Sequence, residues 1–189
     1  MDKKLHKLLK QLENLYPKYI DLSLDRLLIL LKKLGNPHLN LPPTIHIAGT
    51  NGKGSTLSFI KQILIEHNYQ VHCYISPHLE KIEERFVLAN KTIKREKLIE
   101  SINIVKKINN NNPITFFEII TATAFYLFNK SYADFLILET GLGGRLDATN
   151  VIKKTIIDII TPISFDHKEF LGDNLKKISN EKLGIIKKS

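Results

Sequence analysis

The chain has 189 residues, 43% of them hydrophobic and 25% charged, enough for one well-buried domain with the balance of an ordinary globular protein. A single cysteine excludes an internal disulfide and a cysteine-based zinc cluster, and no unbroken apolar stretch marks a signal peptide or a membrane span, so a cytoplasmic protein is expected. The formal charge of +9 comes from scattered lysines, since of the 28 basic residues only Arg26, Arg85, Arg95 and Arg145 are arginines; without interleaved aromatics this is a solvated surface that favours anionic substrates, not a nucleic-acid platform.

Leu5, Leu8, Leu9, Leu12 and Leu15 recur at helical spacing and predict an amphipathic helix ending near Tyr16-Pro17. Ile20-Asp21-Leu22 forms a turn into a second helix. Ser23 is placed to cap that helix; Leu24, Leu27, Leu28, Leu31 and Leu34 form its face, and Gly35 and Pro37 stop it. Ile45-His46-Ile47-Ala48 then reads as a strand running into Gly49-Thr50-Asn51-Gly52-Lys53-Gly54-Ser55-Thr56. Strand, glycine-rich loop and helix in that order make a phosphate cradle. Backbone amides and the helix N-terminus supply partial positive charge, and Lys53 supplies a mobile full one. The match to G-x-x-x-x-G-K-[ST] is imperfect: Ile47 stands where the first glycine belongs and Gly54 where a hydroxyl does.

The helix after the loop is predicted over about 55–67, with Leu57, Ile60, Ile63 and Leu64 inward. A strand follows over 70–75, completing a βαβ unit and so a mostly parallel sheet flanked by helices. Ser76-Pro77-His78-Leu79 lies at that strand's C-terminal end, where ligands of open α/β sheets bind. Arg85 has Glu83 and Glu84 at hand for a local ion pair. Residues 94–108 form another helix, with Ile99, Ile102 and Val105 inward. Thr115 and Glu118 have the spacing of a capping box for the apolar helix beyond them, and of the adjacent Phe116 and Phe117 one is expected to face a ligand. Phe135 to Leu138 is an apolar run fit for a central strand. It ends in Glu139, where a P-loop enzyme places a metal-binding acid. Gly141-Leu142-Gly143-Gly144 permits close backbone approach, with Arg145 and Asp147 as polar handles. A further strand over 156–160 leads to Asp166-His167, and a helix over 174–186 carries Lys182, which bare spacing does not set apart from its lysine neighbours.

Together these stretches resemble the folylpolyglutamate synthase/dihydrofolate synthase family of Mur-ligase-like ATP-dependent amide ligases. The resemblance rests on Asp21 to Arg26, Gly49 to Thr56, Ser76 to Leu79, Phe117-Glu118, Glu139 to Asn150, Asp166-His167 with Leu171-Gly172, and Glu181 to Gly184. Ser23 stands where glycine is usual and Leu183 where alanine is. The resemblance implies a P-loop NTPase-like fold of the Mur ligase central-domain type, with a helical lead-in over about 1–40 and the α/β core over about 44–189. It implies ATP held by Thr50, Asn51, Gly52, Lys53, Gly54 and Ser55, and two Mg²⁺ ions with Ser76, Glu139 and His167 as ligands. The pterin of dihydropteroate or a folate would lie among Ile20, Asp21, Leu22, Thr115, Phe116, Phe117, Glu118, Leu146, Asp147 and Ala148. Lys53, His167 and Lys182 would be the catalytic set, with Lys182 carboxylated on its amine by CO₂.

The implied reaction joins L-glutamate to dihydropteroate or to a folate's glutamate tail through an acyl phosphate. Family members continue into a second domain that helps bind nucleotide and glutamate. That domain is expected to be absent from this chain, which is read as a truncated, monomeric form needing the second domain from an adjoining or separate frame. A generic P-loop ATPase or kinase accounts for Gly49 to Thr56 and Glu139 equally well, and a non-catalytic nucleotide-binding remnant is a third alternative.

Overall fold

The computed structural model describes residues 3–16 and 20–187. The lead-in consists of α1 (Lys3–Glu13) and α2 (Asp25–Lys33). Leu5, Leu8 and Leu12 of α1 are buried along one face, as the spacing requires. The helix stops at Glu13, short of the expected Tyr16-Pro17; Pro17 lies outside the described residues. In α2 the inward face is Leu27, Leu30 and Leu31, whereas Leu28, expected inside, is 41% exposed. The five-leucine run offers two overlapping faces, and packing against the rest of the protein selects one. Ser23 Oγ accepts from the Asp25 amide at 3.3 Å, but the capping position itself falls on Leu24.

β1 (Thr44–Ala48), β2 (Val71–Tyr74), β5 (Phe135–Glu139) and β6 (Ile157–Ile160) run parallel, and β3 (Phe86–Leu88) and β4 (Lys91–Thr92) add an antiparallel edge. The order across the six-stranded sheet is β4-β3-β2-β5-β1-β6. The expected βαβ unit is present, β1 joining β2 through α3 (Lys53–Glu66), but β5 enters between its two strands. The β3–β4 hairpin was not among the sequence expectations. Ala89 and Asn90 both take positive φ, 45° and 70°, and the Asn90 side chain accepts from the Val71 amide at 2.8 Å, fastening the hairpin to β2. Asparagine tolerates this geometry well enough to close a two-residue turn.

The remaining helices are α4 (Arg95–Asn109), α5 (Phe116–Asn129), α6 (Lys168–Leu171) and α7 (Leu175–Leu183). Helices α1, α2, α4 and α5 cover one face of the sheet, so lead-in and sheet share one apolar cluster that takes in Leu12, Leu31, Ile102, Phe125, Leu136 and Leu138. On the opposite face Ile137 packs with Ile45, Ile47 and Leu57 beneath α3. Alternate residues of β5 therefore serve opposite layers, which is why its sequence is apolar throughout. Ile63, expected inside α3, is 59% exposed; Leu57 is buried there, and Ile60 and Leu64 pack at its edge. No helix among the described residues is long and apolar enough to cross a membrane.

The α2 assignment makes a direct comparison. Leu30→Ala is expected to lower unfolding free energy by about 2–5 kcal/mol, and Leu28→Ala by less than about 1 kcal/mol, in denaturant titrations. Equal losses would mean that the face is wrongly placed.

Candidate functional site

β1 is interior to the sheet, and its C-terminal end opens into the glycine loop. Gly49 has φ +153°, and a Cβ on it would come within 1.8 Å of Thr161 Oγ1, so no larger residue fits between β1 and the end of β6. The Thr50 and Asn51 amides both donate to Pro162 O, at 3.1 and 3.3 Å, and Thr50 Oγ1 donates to Ser164 O at 3.1 Å. These bonds lash the loop to the segment after β6. Gly52, at φ 84°, caps α3 with no side-chain bond. Within the helix Thr56 is paired to Gly52 O, and Gly54 and Ser55 stand in solvent. The helix thus presents an uncapped, open N-terminus suited to phosphate. Lys53 Nζ rests on Gly49 O at 3.1 Å.

Glu139 ends β5, directly beside β1 in register with Ile47, and is 5% exposed. Its Oε2 accepts from the Ser76 amide at 3.2 Å, and a Cβ on Gly54 would sit 3.9 Å from both carboxylate oxygens, so the acid abuts the first turn of α3. Burial pushes this carboxyl above its ordinary value. The Ser76 amide and the charges of Lys53 and Arg85 only partly offset that. Lys182, on α7, is 2% exposed and donates from Nζ to Gly49 O at 2.9 Å. Burial, and next the charge of Lys53, lower its amine. Leu183, the bulky neighbour, is 42% exposed and turns away from Lys182.

The loop after β5 holds Lys182 in place. A Cβ on Gly144 would fall 2.6 Å from Glu181 O and 2.7 Å from Lys182 O, and Arg145 pairs with Glu181 at 2.9 Å. Asp147 is a second buried carboxylate, but a satisfied one. It accepts from the amides of Gly141, Leu142 and Thr149, each at 2.9 Å, and from Thr149 Oγ1 at 2.5 Å. The Thr149 hydroxyl, having given its proton to Asp147, accepts from His46 Nε2 at 2.8 Å. Burial holds the His46 imidazole neutral, with its pKa lowered to about 3. Sequence reading missed this chain because His46 looks like any strand residue.

A cavity of about 260 Å³ opens against these elements. Ile20, Asp21, Leu22, Thr115, Phe116, Phe117, Glu118, Leu146, Asp147 and Ala148, the whole segment set expected for an organic acid, line it, together with Ser76 and His167. Phe116 and Phe117 both face it, not one alone. The capping box forms as spaced: Glu118 Oε2 accepts from the Thr115 amide at 2.8 Å, and Thr115 Oγ1 accepts from the Glu118 amide at 3.3 Å. Glu118 also takes Arg26 at 3.2 Å, and Arg26 reaches Asp21 at 3.2 Å, which ties the lead-in to the cavity wall. Lys53 and Glu139 are not in the lining; Glu139 sits behind it through the Ser76 amide. His167 is exposed, at φ 43°, with Nε2 3.4 Å from Asp166. Arg85 makes no pair with Glu83 or Glu84: it is buried, and Arg95 takes Glu83 at 2.5 Å.

Among the described residues no three His, Cys, Asp or Glu side chains form a metal cluster. A largely buried carboxylate bonded to one backbone amide, beside the open N-terminus of α3, nevertheless has the chemistry of a ligand for a hard cation. Glu139 is joined to Ser76 through the Ser76 amide, and Ser76 and His167 line the same cavity.

The Mur ligase middle domain family matches residues 47–189. The dihydrofolate synthase/folylpolyglutamate synthase of Haemophilus influenzae is 40% identical over 181 residues, 96% of this chain and 41% of its own length. E. coli FolC in complex with DHPP and ADP superposes with a TM-score of 0.90 at 37% identity, over 96% of this chain and 43% of that one. A bifunctional folylpolyglutamate synthase/dihydrofolate synthase with Mn, AMPPNP and L-glutamate bound gives 0.86 at 34%, over 96% and 43%. The chain therefore spans about two fifths of the length of the curated relatives it matches.

Glu139 carries a stability signature. Because its folded value lies above the ordinary 4.5, the folded chain binds more protons than the unfolded one, and stability falls as pH rises through that interval. Glu139→Gln is expected to melt higher than wild type near about pH 7, the difference shrinking toward about pH 4. A variant that melts lower at both would mean that the carboxylate is stabilising.

Proposed function

Because the chain belongs to the Mur ligase middle domain family, we propose that it carries the nucleotide-binding and acid-binding part of an ATP-dependent ligase. This ligase joins L-glutamate to dihydropteroate, forming dihydrofolate, to the glutamate tail of tetrahydrofolates, or to both. The observation that carries this reading is the continuous path from the organic-acid cavity, through Ser76 to Glu139, to the open N-terminus of α3. An ordinary ATPase or kinase has no need of an aromatic-walled chamber at that place.

A carboxylate is a poor electrophile. The acid must first receive the γ-phosphoryl group of ATP, whereupon the amine of glutamate displaces phosphate and closes the amide. No side-chain nucleophile is required; positioning and charge neutralisation suffice. The amides at the start of α3 and the ammonium of Lys53 hold the phosphates and take up charge as it moves. Ser76, Glu139 and His167 would hold magnesium, which when bound supplies Lewis-acid neutralisation of the phosphate oxygens. The lowered Lys182 amine supports carboxylation: its neutral nitrogen bonds to the carbon of CO₂ and releases a proton, giving a carboxylate placed for a second ion. Phe116, Phe117 and Ala148 would flank the pterin ring, and Asp147, already saturated, keeps the loop in shape around it. A second domain, accounting for the remaining length of the relatives, would complete the nucleotide and glutamate sites. A cytoplasmic monomer binding two magnesium ions belongs to the same proposal.

The test is ADP formation and glutamate incorporation with dihydropteroate and with a reduced folate, each omitted in turn, for this chain alone and with the second domain supplied. Turnover that needs both the pteroate acid and glutamate supports the ligase; turnover indifferent to them favours a plain ATPase. In the complete protein Lys53→Ala is expected to lower kcat by about 10³-fold or more, and near-normal turnover would remove Lys53 from its assigned place.

A further inference from the structure

A short 3-10 turn, Ile82–Arg85, ends in a residue that no part of the ligase account uses. Arg85 is 6% exposed. A guanidinium taken out of water ordinarily brings a carboxylate with it, because the desolvation cost is several kcal/mol. Here the neighbouring acids are otherwise engaged. Glu83 holds Arg95, and Glu84 accepts the amides of Leu79, Glu80 and Lys81.

What Arg85 meets is neutral. Its Nε donates to His78 Nδ1 at 2.9 Å, which makes that ring nitrogen the acceptor. Glu139 feels the Arg85 charge, but the ion pairs among the described residues do not join the two. Arg85 nonetheless lines the 260 Å³ cavity, sharing that lining with Ser76, whose amide holds Glu139. With Nε committed to His78 and a further side-chain bond made to the buried Tyr74 hydroxyl, the Nη hydrogens left over are the donors available to a carboxylate.

We infer that Arg85 binds the carboxylate of the organic acid in this cavity and aims it at the phosphate seat, with His78 fixing the guanidinium's orientation. This rests on the acid-binding reading of the cavity given above. Arg85 touches the substrate directly, whereas His78 acts through it as a positioning residue. Such a cation has two uses: it selects an acid over a neutral isostere, and it lies where negative charge must be held while the phosphoryl group arrives.

The test compares dihydropteroate with its carboxamide, titrated into wild type, Arg85→Gln and Arg85→Lys with a chelator present so that metal contributes nothing. Wild type is expected to bind the acid about 10–100-fold more tightly than the amide. Arg85→Gln is expected to lose that preference while binding the amide as wild type does, and Arg85→Lys to keep part of it. A preference that survives in Arg85→Gln, or equal weakening of acid and amide, would overturn the assignment. Should Arg85→Gln fail to fold, wild type and Arg85→Lys decide: an undiminished preference in Arg85→Lys, or none in wild type, counts against it. Wild type that binds both compounds equally removes Arg85 alone, whereas wild type that binds neither removes the acid-binding reading of the cavity as well.

Discussion

The parallel pairing of β1 with β5 on one side and β6 on the other is the constraint on which the site depends. It puts the glycine loop between an acid at the tip of β5 and the Thr161 end of β6, and it leaves Gly49 no room for a side chain. The loop carbonyl then becomes the common acceptor for two lysines, Lys53 from α3 and Lys182 from α7. A sheet in which β2 followed β1 directly would have separated Glu139 from the loop by a strand's width, roughly 5 Å.

Two buried carboxylates beside the cavity have been given opposite tasks by their surroundings. Asp147 has backbone amides and a hydroxyl converging on it and behaves as a structural staple for the glycine-rich loop. Glu139 has the Ser76 amide and little else, and burial raises its carboxyl above the ordinary value. Buried polar groups are normally satisfied. Of the groups left short of opposite charge, Arg85 lines the chamber, Glu139 sits behind its wall through the Ser76 amide, and Lys182 lies on the glycine loop. Such sites commonly trade stability for function.

The elements were largely legible from pattern. Apolar spacing located α1, α2 and α4, the capping box at Thr115 and Glu118 formed as spaced, and the run before Glu139 became the central strand. The errors share a cause. Leu28 and Ile63 belong to helices with more apolar residues than one face can bury, so periodicity left a choice that only the neighbouring layer could make. The β3–β4 hairpin escaped because Ala89-Asn90 is a weak turn signal compared with the Asn-Gly or Asp-Gly pairs that announce such turns.

The site divides along the same line. Local chemistry in the sequence located the glycine loop between β1 and α3, and it located Glu139 as the polar end of an apolar strand. It could not single out Lys182 among neighbouring lysines, pair His46 with Thr149, or withhold from Arg85 the glutamates beside it in the chain. Those were decided by tertiary structure, because burial and the presence or absence of a partner are properties of segments far apart in sequence: Lys182 meets Gly49 across 133 positions, and His46 meets Thr149 across 103.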